Sequence, residues 1–233
     1  MFLPRRQGLY NKQMIKAIIF DLDGTLLNTE ADIRCVLNCS LAKFSLPPVG
    51  REELYSMLGD GAYNLVYRAV PEDKKELVQA VYEDYVPAYA AHESTLTTLY
   101  EGEDEVLTRL KAAGVKLALL SNKPQASTQR VYDEKLSKYG FDIVIGQGQF
   151  PLKPDPAGTN YIMQTLGVKK DECLFTGDGE TDFLTAKNAG INCISVLWGF
   201  RKREQLAQFG ATLFAENYTQ YLQILQNKFS LRA

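Results

Sequence analysis

Two aspartates, Asp21 and Asp23, stand directly after the apolar, β-branched run Ile15–Phe20, and a glycine follows them. An apolar run that stops at a carboxylate is typical of a buried parallel strand whose carboxyl edge carries chemistry. Two acids in one tight turn repel each other unless a cation or a proton lies beside them. The pair therefore predicts a metal-assisted site with a carboxylate nucleophile.

Further polar side chains follow three other strand-like segments. Ser121 and Asn122 come after the second segment, Lys153 after the third, and Asp178 and Asp182 after the fourth. In an open parallel sheet, ligands bind outside the carboxyl ends of the strands. We therefore expect these groups, which are far apart in the sequence, to meet in one crevice.

The residue types in this set indicate the metal and the substrate. Carboxylates without His or Cys favour a hard cation, Mg²⁺ above all, and His92 is the only histidine in the chain. A lysine and a hydroxyl beside a carboxylate-held Mg²⁺ suit a phosphate group. Backbone N–H groups of the turn that contains Gly24 and Thr25 are further candidate donors to its oxygens.

The elements that must position these residues fall into two groups. After residue 97, strand and helix patterns alternate at short spacing, which predicts an α/β core: a Rossmann-like, doubly wound parallel sheet with helices on both faces. Residues 28–96 show only helical patterns and predict an inserted all-helical cap. The predicted domains are the core (14–27 and 97–233) and the cap (28–96), after an N-terminal extension (1–13).

Two features of the cap are open to more than one interpretation. Gly59, Asp60 and Gly61 separate two short helices, and they form either a loop over the active site or a plain connection. Arg68 either meets a substrate carboxylate or lies on a solvated helix face. The cap tyrosines are expected to pack between helices: Tyr63, Tyr67, Tyr82, Tyr85 and Tyr89.

Composition and charge exclude several other classes of protein. The 233 residues carry a net charge of −2, so there is no bulk attraction to nucleic acid or to an anionic membrane. No apolar run approaches the length of a membrane span, and no apolar signal core follows the two N-terminal arginines. We expect a cytoplasmic protein that acts on a small metabolite.

Four motifs, in order, carry a resemblance to a known family. The chain resembles the haloacid dehalogenase-like (HAD) phosphatases in its Asp21-Leu22-Asp23-Gly24-Thr25, Ser121, Lys153-Pro154-Asp155, and Gly177-Asp178 with Asp182. The likeness covers essentially the whole chain from residue 14, and the helical insert is similar to a C1-type cap. Among members, the likeness is to phosphoglycolate phosphatases, which the segment Trp198–Arg201 also resembles. Gly179 departs from the pattern, since the family often has serine there.

The resemblance implies roles for the motif residues. Asp21 would be the nucleophile that forms an aspartyl-phosphate, and Asp23 would protonate the leaving alkoxide and then activate water. Ser121 would hydrogen-bond the phosphoryl oxygens, and Lys153 would steady both Asp21 and the phosphoryl group. Asn122 is either a further phosphate ligand or a turn residue.

The resemblance also implies the metal ligands. Asp21, the backbone carbonyl of Asp23, and Asp178 would bind Mg²⁺, while Asp182 would hold a metal-bound water. Two positive charges from the metal and one from Lys153 would offset the repulsion between Asp21 and a phosphate dianion.

The expected activity is that of a Mg²⁺-dependent phosphomonoesterase, phosphoglycolate phosphatase-like, acting on a small phosphorylated metabolite. The alternatives are a β-phosphoglucomutase-like phosphomutase, a pyrophosphatase or nucleotidase, and a non-catalytic phosphometabolite sensor. Intact Asp21, Asp23, Lys153 and Asp178 argue against a sensor. The physiological ester and the oligomeric state do not follow from the sequence.

Overall fold

The structure, a computed structural model, describes residues 13–231. Of the predicted N-terminal extension, residues 1–12 lie outside the described residues, and Gln13 already belongs to the first strand. Within the described part of the chain, every helix is too short or too polar to cross a bilayer.

A six-stranded parallel sheet forms the centre of the core. Its spatial order is β6-β5-β2-β7-β8-β9, and every neighbouring pair runs parallel. The strands of residues 13–231 are β1 (Gln13–Ile15), β2 (Ala17–Phe20), β3 (Leu27–Asn28), β4 (Thr98–Leu99), β5 (Lys116–Pro124), β6 (Ile143–Gln147), β7 (Cys173–Gly177), β8 (Asn192–Val196), β9 (Phe214–Ala215) and β10 (Phe229–Leu231).

Helices cover both faces of this sheet, as the α/β pattern predicted. The α-helices of the described residues are α1 (Glu30–Lys43), α2 (Arg51–Met57), α3 (Ala62–Ala69), α4 (Val78–Ala91), α5 (Glu103–Ala112), α6 (Gln125–Lys135), α7 (Ala157–Leu166), α8 (Glu180–Ala189), α9 (Arg203–Gln208) and α10 (Tyr218–Lys228). Short 3₁₀ helices span Glu72–Leu77, Ser137–Tyr139 and Lys170–Glu172.

The central strand β2 shows why both faces must be covered. Its four residues are all fully buried. Ile18 and Phe20 belong to the apolar cluster under α5, α6 and α10, whereas Ala17 and Ile19 belong to the one under α7 and α8. Successive strand residues point to opposite faces, so an all-apolar strand requires an apolar layer on each side.

The helices between β3 and β4 have an apolar cluster of their own. It is built from α1 to α4 and includes Leu37, Leu54, Val66 and Val81. The chain leaves the core through β3 and returns through β4, and these two strands pair antiparallel at Leu27–Leu99 and Asn28–Thr98. The two crossings therefore lie side by side.

The structure differs from the sequence-based expectations at three places. The helix expected from Pro71 to about residue 92 begins as the 3₁₀ segment, because Lys74 has non-helical torsion angles (φ −129°, ψ 17°), and continues as α4. The pairs β1–β10 and β3–β4 were not predicted. Strands of two or three residues are too short to show the alternation by which a strand is recognised.

Candidate active site

The carboxyl ends of three adjacent strands bring the predicted residues together. In β2, Phe20 is in register with Leu119 of β5 and with Thr176 of β7. Asp21 follows β2, Asp178 follows β7, and Ser121 lies near the end of β5. Adjacent parallel strands end at the same edge of the sheet, so these residues meet there.

Asp21 and Lys153 form a buried ion pair. The Lys153 ammonium lies 2.7 Å from Asp21 Oδ1 and 2.6 Å from Asp182 Oδ1. The lysine side chain is only 3% exposed, so solvent screens these charges weakly. Lys153 thereby holds the Asp21 carboxylate in one position.

Asp21, Asp178 and Asp182 form an acidic cluster that could hold a metal ion. One carboxylate oxygen of each lies within 4.8 Å of the others, and all three residues are buried. Thr25 Oγ1 donates to Asp178 Oδ1 at 3.0 Å, and the Phe200 N–H donates to Oδ2 at 2.7 Å. The oxygen donors of this cluster suit a hard cation.

Burial and mutual repulsion shift the pKa values in this cluster. Burial, reinforced by Asp182, raises the pKa of Asp178 to about 7. Burial and the charges of Asp182 and Asp178 hold the pKa of Asp21 well above its usual value, against the opposing effect of Lys153. Burial alone would lower the pKa of Lys153, but Asp182 and Asp21 outweigh it and raise that pKa. Bringing a divalent cation to the three carboxylates would relieve the repulsion between them.

The Asp23 side chain is not one of the three that form the acidic cluster, and it has its own cationic partner. Lys123 Nζ contacts both carboxylate oxygens of Asp23 at 2.8 Å, and Thr29 Oγ1 donates to Oδ1 at 2.6 Å. Lys123 is also 4.6 Å from the centre of the Tyr89 ring. The two aspartates of the first motif thus have different environments and different lysines.

Asn122, in β5, connects two loops around the site. Its side-chain amide donates to the carbonyls of Gly59 (2.9 Å) and Lys153 (3.0 Å), and its Oδ1 accepts from the Lys153 N–H (2.7 Å). Asn122 lies in β5 and not in the predicted turn; these contacts hold the Gly59 and Lys153 backbones, and its role as a phosphate ligand stays a prediction. The neighbouring Ser121 lines the cavity, and its Oγ accepts from the Lys123 N–H at 3.2 Å.

Gly24 and Thr25 use their donors inside the protein instead of presenting them to a phosphate. The Gly24 N–H donates to the Leu27 carbonyl (2.8 Å), the Thr25 N–H to the Leu22 carbonyl (3.3 Å), and the Thr25 hydroxyl to Asp178. Gly24 has φ +86°, and a Cβ there would lie 2.4 Å from Asp178 Oδ2. The Thr25 hydroxyl thus holds Asp178, and the absence of a Cβ at Gly24 leaves room for the Asp178 carboxylate.

A cavity of 70 Å³ lies between the cap and this edge of the sheet. Gly59 and Gly61 line it from the cap, together with Leu65, Tyr85 and Tyr89, among other residues. Gly59 and Gly61 therefore lie in the same cavity as the carboxylates, and a role of this loop in covering the active site stays a prediction.

Asp60 and Arg68 lie outside this cavity. Their side chains form an ion pair with each other, and the Arg68 guanidinium also donates to the Met57 carbonyl at 3.0 Å. This placement does not bring the Arg68 charge to a bound substrate. A solvated or structural role agrees better with these contacts, because the guanidinium is engaged within the cap.

Arg201 ties the core to the cap. Its guanidinium donates to the carbonyls of Tyr55 and Leu58 (2.7 Å to the latter), at the end of α2, and pairs with Glu180 at 2.8 Å. Arg201 is only 8% exposed and lines the cavity. A core residue thus supplies the hydrogen-bond partners for two cap carbonyls.

The family is decided by comparison with known proteins. A family model described as haloacid dehalogenase-like hydrolase matches residues 18–196. The chain belongs to this family. The resemblance inferred from the four motifs is thereby confirmed, and the acidic cluster agrees with the metal ion that HAD phosphatases use.

Relatives of this HAD hydrolase include named phosphoglycolate phosphatases. Phosphoglycolate phosphatase 1 of Pseudomonas aeruginosa is 34% identical over 222 residues, which cover 91% of this chain and 80% of the relative. The phosphoglycolate phosphatase of Vibrio parahaemolyticus is 29% identical, with 92% and 97% covered. A solved structure from Lactobacillus delbrueckii subsp. bulgaricus, described as a candidate phosphoglycolate phosphatase, superposes with a TM-score of 0.85 at 31% identity, covering 92% of this chain and 98% of that one. The chain is a phosphatase with the HAD fold.

Sequence reasoning did not assign a function to three residues around the site of this HAD phosphatase. Lys123 directly follows the second motif, Tyr89 was expected to be helix-packing core, and Arg201 belongs to the segment 198–201, for which only a resemblance was available. The position of Lys123 at a strand end was the available signal. Tyr89 and Arg201 carry no local signal, since their partners are distant in the sequence.

Proposed function

We propose that this chain is a Mg²⁺-dependent phosphomonoesterase whose substrate is 2-phosphoglycolate and whose nucleophile is Asp21. The observation that carries the proposal is a buried carboxylate, Asp21, held 2.7 Å from Lys153 and grouped with Asp178 and Asp182. The names of the relatives support this substrate, and the Pseudomonas aeruginosa and Vibrio parahaemolyticus enzymes are among those that align with more than nine-tenths of this chain.

In the first half-reaction, an Asp21 carboxylate oxygen attacks phosphorus and the bond from phosphorus to the ester oxygen breaks. Asp23 gives its proton to the departing oxygen, which leaves as the alcohol. Lys153 and the Ser121 hydroxyl bind the phosphoryl oxygens during this transfer. The product on the enzyme is an aspartyl-phosphate at Asp21.

In the second half-reaction, Asp23 takes a proton from water, and the resulting hydroxide attacks the phosphorus of the aspartyl-phosphate. The bond from phosphorus to Asp21 breaks, which frees phosphate and restores the carboxylate. Asp23 is suited to both half-reactions because Thr29 and Lys123 hold its carboxylate in one place.

Mg²⁺ fits the donor set of this site. Asp21, Asp178 and the backbone carbonyl of Asp23 would hold it, with Asp182 supporting a water ligand. When bound there, Mg²⁺ supplies two positive charges against the phosphoryl oxygens.

The proposal includes a division of the chain into a catalytic core and a cap. We assign residues 28–96 to a cap that excludes water when it covers the site and releases product when it opens. We also place the reaction in the cytoplasm, and the four free cysteines support this location.

A phosphate-release assay with purified protein tests the proposal. The esters are 2-phosphoglycolate, β-glucose 1-phosphate, pyrophosphate and a nucleoside monophosphate, each with and without Mg²⁺. We expect the highest kcat/KM for 2-phosphoglycolate and no release after chelation of the metal. Isomerisation of the sugar phosphate with little free phosphate would identify a mutase, and preference for either of the other two would identify a pyrophosphatase or nucleotidase.

A further inference from the structure

Lys123 is a buried cation in the cavity, and the reaction steps above give it no role other than holding Asp23. Its side chain is 5% exposed, and its ammonium contacts both oxygens of Asp23 at 2.8 Å. The face of the Tyr89 ring lies 4.6 Å away on the cap side. The ammonium is thus held between core and cap.

The other cations that line the cavity are paired with different groups. Among the described residues that line it, the cations are Lys123, Lys153 and Arg201. Lys153 binds two carboxylates of the acidic cluster, and Arg201 binds Glu180 and two cap carbonyls. The Lys123 ammonium contacts only one carboxylate and one aromatic ring among the described residues, so it can still bind a further anionic ligand.

The position of Lys123 relative to the reacting atoms limits what that ligand can be. Asp23 must lie beside the ester oxygen in order to protonate it. Because Lys123 contacts both oxygens of Asp23, its ammonium lies close to the atoms bonded to that ester oxygen. A carboxylate on the adjacent carbon is two bonds from the ester oxygen and within reach of the ammonium.

The charges that line the cavity agree with an anionic substrate. The cavity has a volume of 70 Å³, and its lining carries both carboxylates and cations. Four carboxylates line it (Asp21, Asp23, Asp178 and Asp182), and they would repel a third negative charge on the substrate. Lys123 is placed to offset that repulsion at the leaving-group end.

We propose that Lys123 is the residue that selects phosphate esters of small 2-hydroxy acids, by pairing its ammonium with the carboxylate next to the ester oxygen. Tyr89 holds this ammonium from the cap, so the subsite is complete only when the cap covers the site. The inference rests on the proposed phosphatase function and deepens it by assigning the residue that distinguishes an anionic from a neutral leaving group.

The test compares two esters of almost identical shape at saturating Mg²⁺: 2-phosphoglycolate and its neutral amide, 2-phosphoglycolamide. In the wild type, kcat/KM favours the acid. In Lys123→Met turnover of both esters falls because Asp23 loses its cationic partner, and the preference for the acid falls in addition by roughly ten- to hundredfold, the effect expected for one charged hydrogen bond. Lys123→Arg keeps the charge and restores part of the preference.

Lys75→Met is the matched control. Lys75 also lies over a tyrosine ring (4.1 Å from that of Tyr67) and near a carboxylate (3.7 Å from Glu72), but it is outside the cavity lining. This variant keeps the wild-type preference for the acid. Equal losses on both esters in Lys123→Met, or an unchanged preference, overturn the proposal.

Two further measurements cover the remaining cases. If Lys123→Met does not fold, glycolate and glycolamide are compared as competitive inhibitors of the wild type; equal inhibition overturns the proposal, and stronger inhibition by glycolate supports it. If the wild type hydrolyses neither ester, the proposed substrate fails. The increase in Tm caused by each ester then decides separately whether the site recognises the carboxylate.

Discussion

At the scale of single residues, each of the first two motif aspartates is held by its own lysine. Lys153 contacts Asp21 at 2.7 Å, and Lys123 contacts Asp23 at 2.8 Å. Asp21 also faces Asp178 and Asp182, whereas the Asp23 side chain faces Thr29. Environments this different suit a nucleophile and a proton donor, which must behave differently in the same step.

Asp21→Asn tests the nucleophile. The amide has nearly the same shape but cannot attack phosphorus, so phosphate release should fall by at least about a thousandfold. Circular dichroism should show an intact fold, and the exposed Asp171→Asn should keep wild-type turnover. Phosphate release near the wild-type rate would remove Asp21 from the nucleophile role.

Asp178→Asn tests the metal site. With the wild type, added Mg²⁺ should raise Tm, because a ligand that binds only the folded state stabilises it by about 2.7 kcal/mol at a hundred times its Kd. The variant should lose most of this increase and should need at least about tenfold more Mg²⁺ for half-maximal phosphate release. Asp73→Asn, exposed on the cap, is the control. A Mg²⁺-induced increase equal to that of the wild type would contradict the ligand role of Asp178.

At the scale of elements, the cap contacts the core through specific hydrogen bonds as well as apolar packing. Arg201, in the loop after β8, binds the Tyr55 and Leu58 carbonyls at the end of α2, and Asn122 binds the Gly59 carbonyl. The last carbonyls of a helix have no partner within the helix. The core therefore supplies donors that the cap itself lacks.

Arg201→Met should loosen this connection. We expect amide hydrogen exchange over residues 51–61 to become at least about tenfold faster and KM for the preferred ester to rise, because buried carbonyls lose a charged donor. Arg203→Met is the control, since Arg203 is 44% exposed and pairs with Glu216 on the surface. Unchanged exchange over 51–61 in Arg201→Met would show that apolar packing alone holds the cap.

At the scale of the whole molecule, stability rests on three apolar clusters: one on each face of the sheet and one inside the cap. One buried acidic side chain makes this stability depend on pH. Glu103, at the start of α5, is fully buried, and its Oε1 has no hydrogen-bond partner among the described residues. Burial raises the pKa of Glu103 to about 9, although the Tyr100 N–H donates to its other oxygen.

The pH dependence of unfolding should report this group. The folded protein keeps the Glu103 proton up to near pH 9, whereas the unfolded chain releases it near its ordinary pKa of 4.5. The folded state therefore binds more protons between these values, and stability falls as the pH rises, by about 1.4 kcal/mol per pH unit.

Glu103→Gln should remove that slope. Between pH 6 and 8, the unfolding free energy of the wild type should fall by about 2–3 kcal/mol relative to the variant, measured by urea denaturation. Glu105→Gln is the control, because Glu105 is 60% exposed. Parallel pH profiles for the wild type and Glu103→Gln would show that Glu103 is already ionised in the folded protein.

The sequence by itself determined the fold class, the helical insert and the convergence of Asp21, Ser121, Lys153 and Asp178 at one edge of the sheet. These features depend on local patterns. Apolar runs that end in polar residues mark buried strands, and parallel strands place their carboxyl ends together whatever the connections between them.

Only the tertiary structure decided which side chains meet across long separations in the chain. Lys123 contacts Asp23, which is 100 residues away in the sequence, and Arg201 donates to the Leu58 carbonyl, which is 143 residues away. A lysine or arginine after a strand looks the same in the sequence whether it is solvated or buried. Its partner depends on how the cap packs on the core, and that packing is a property of the whole folded chain.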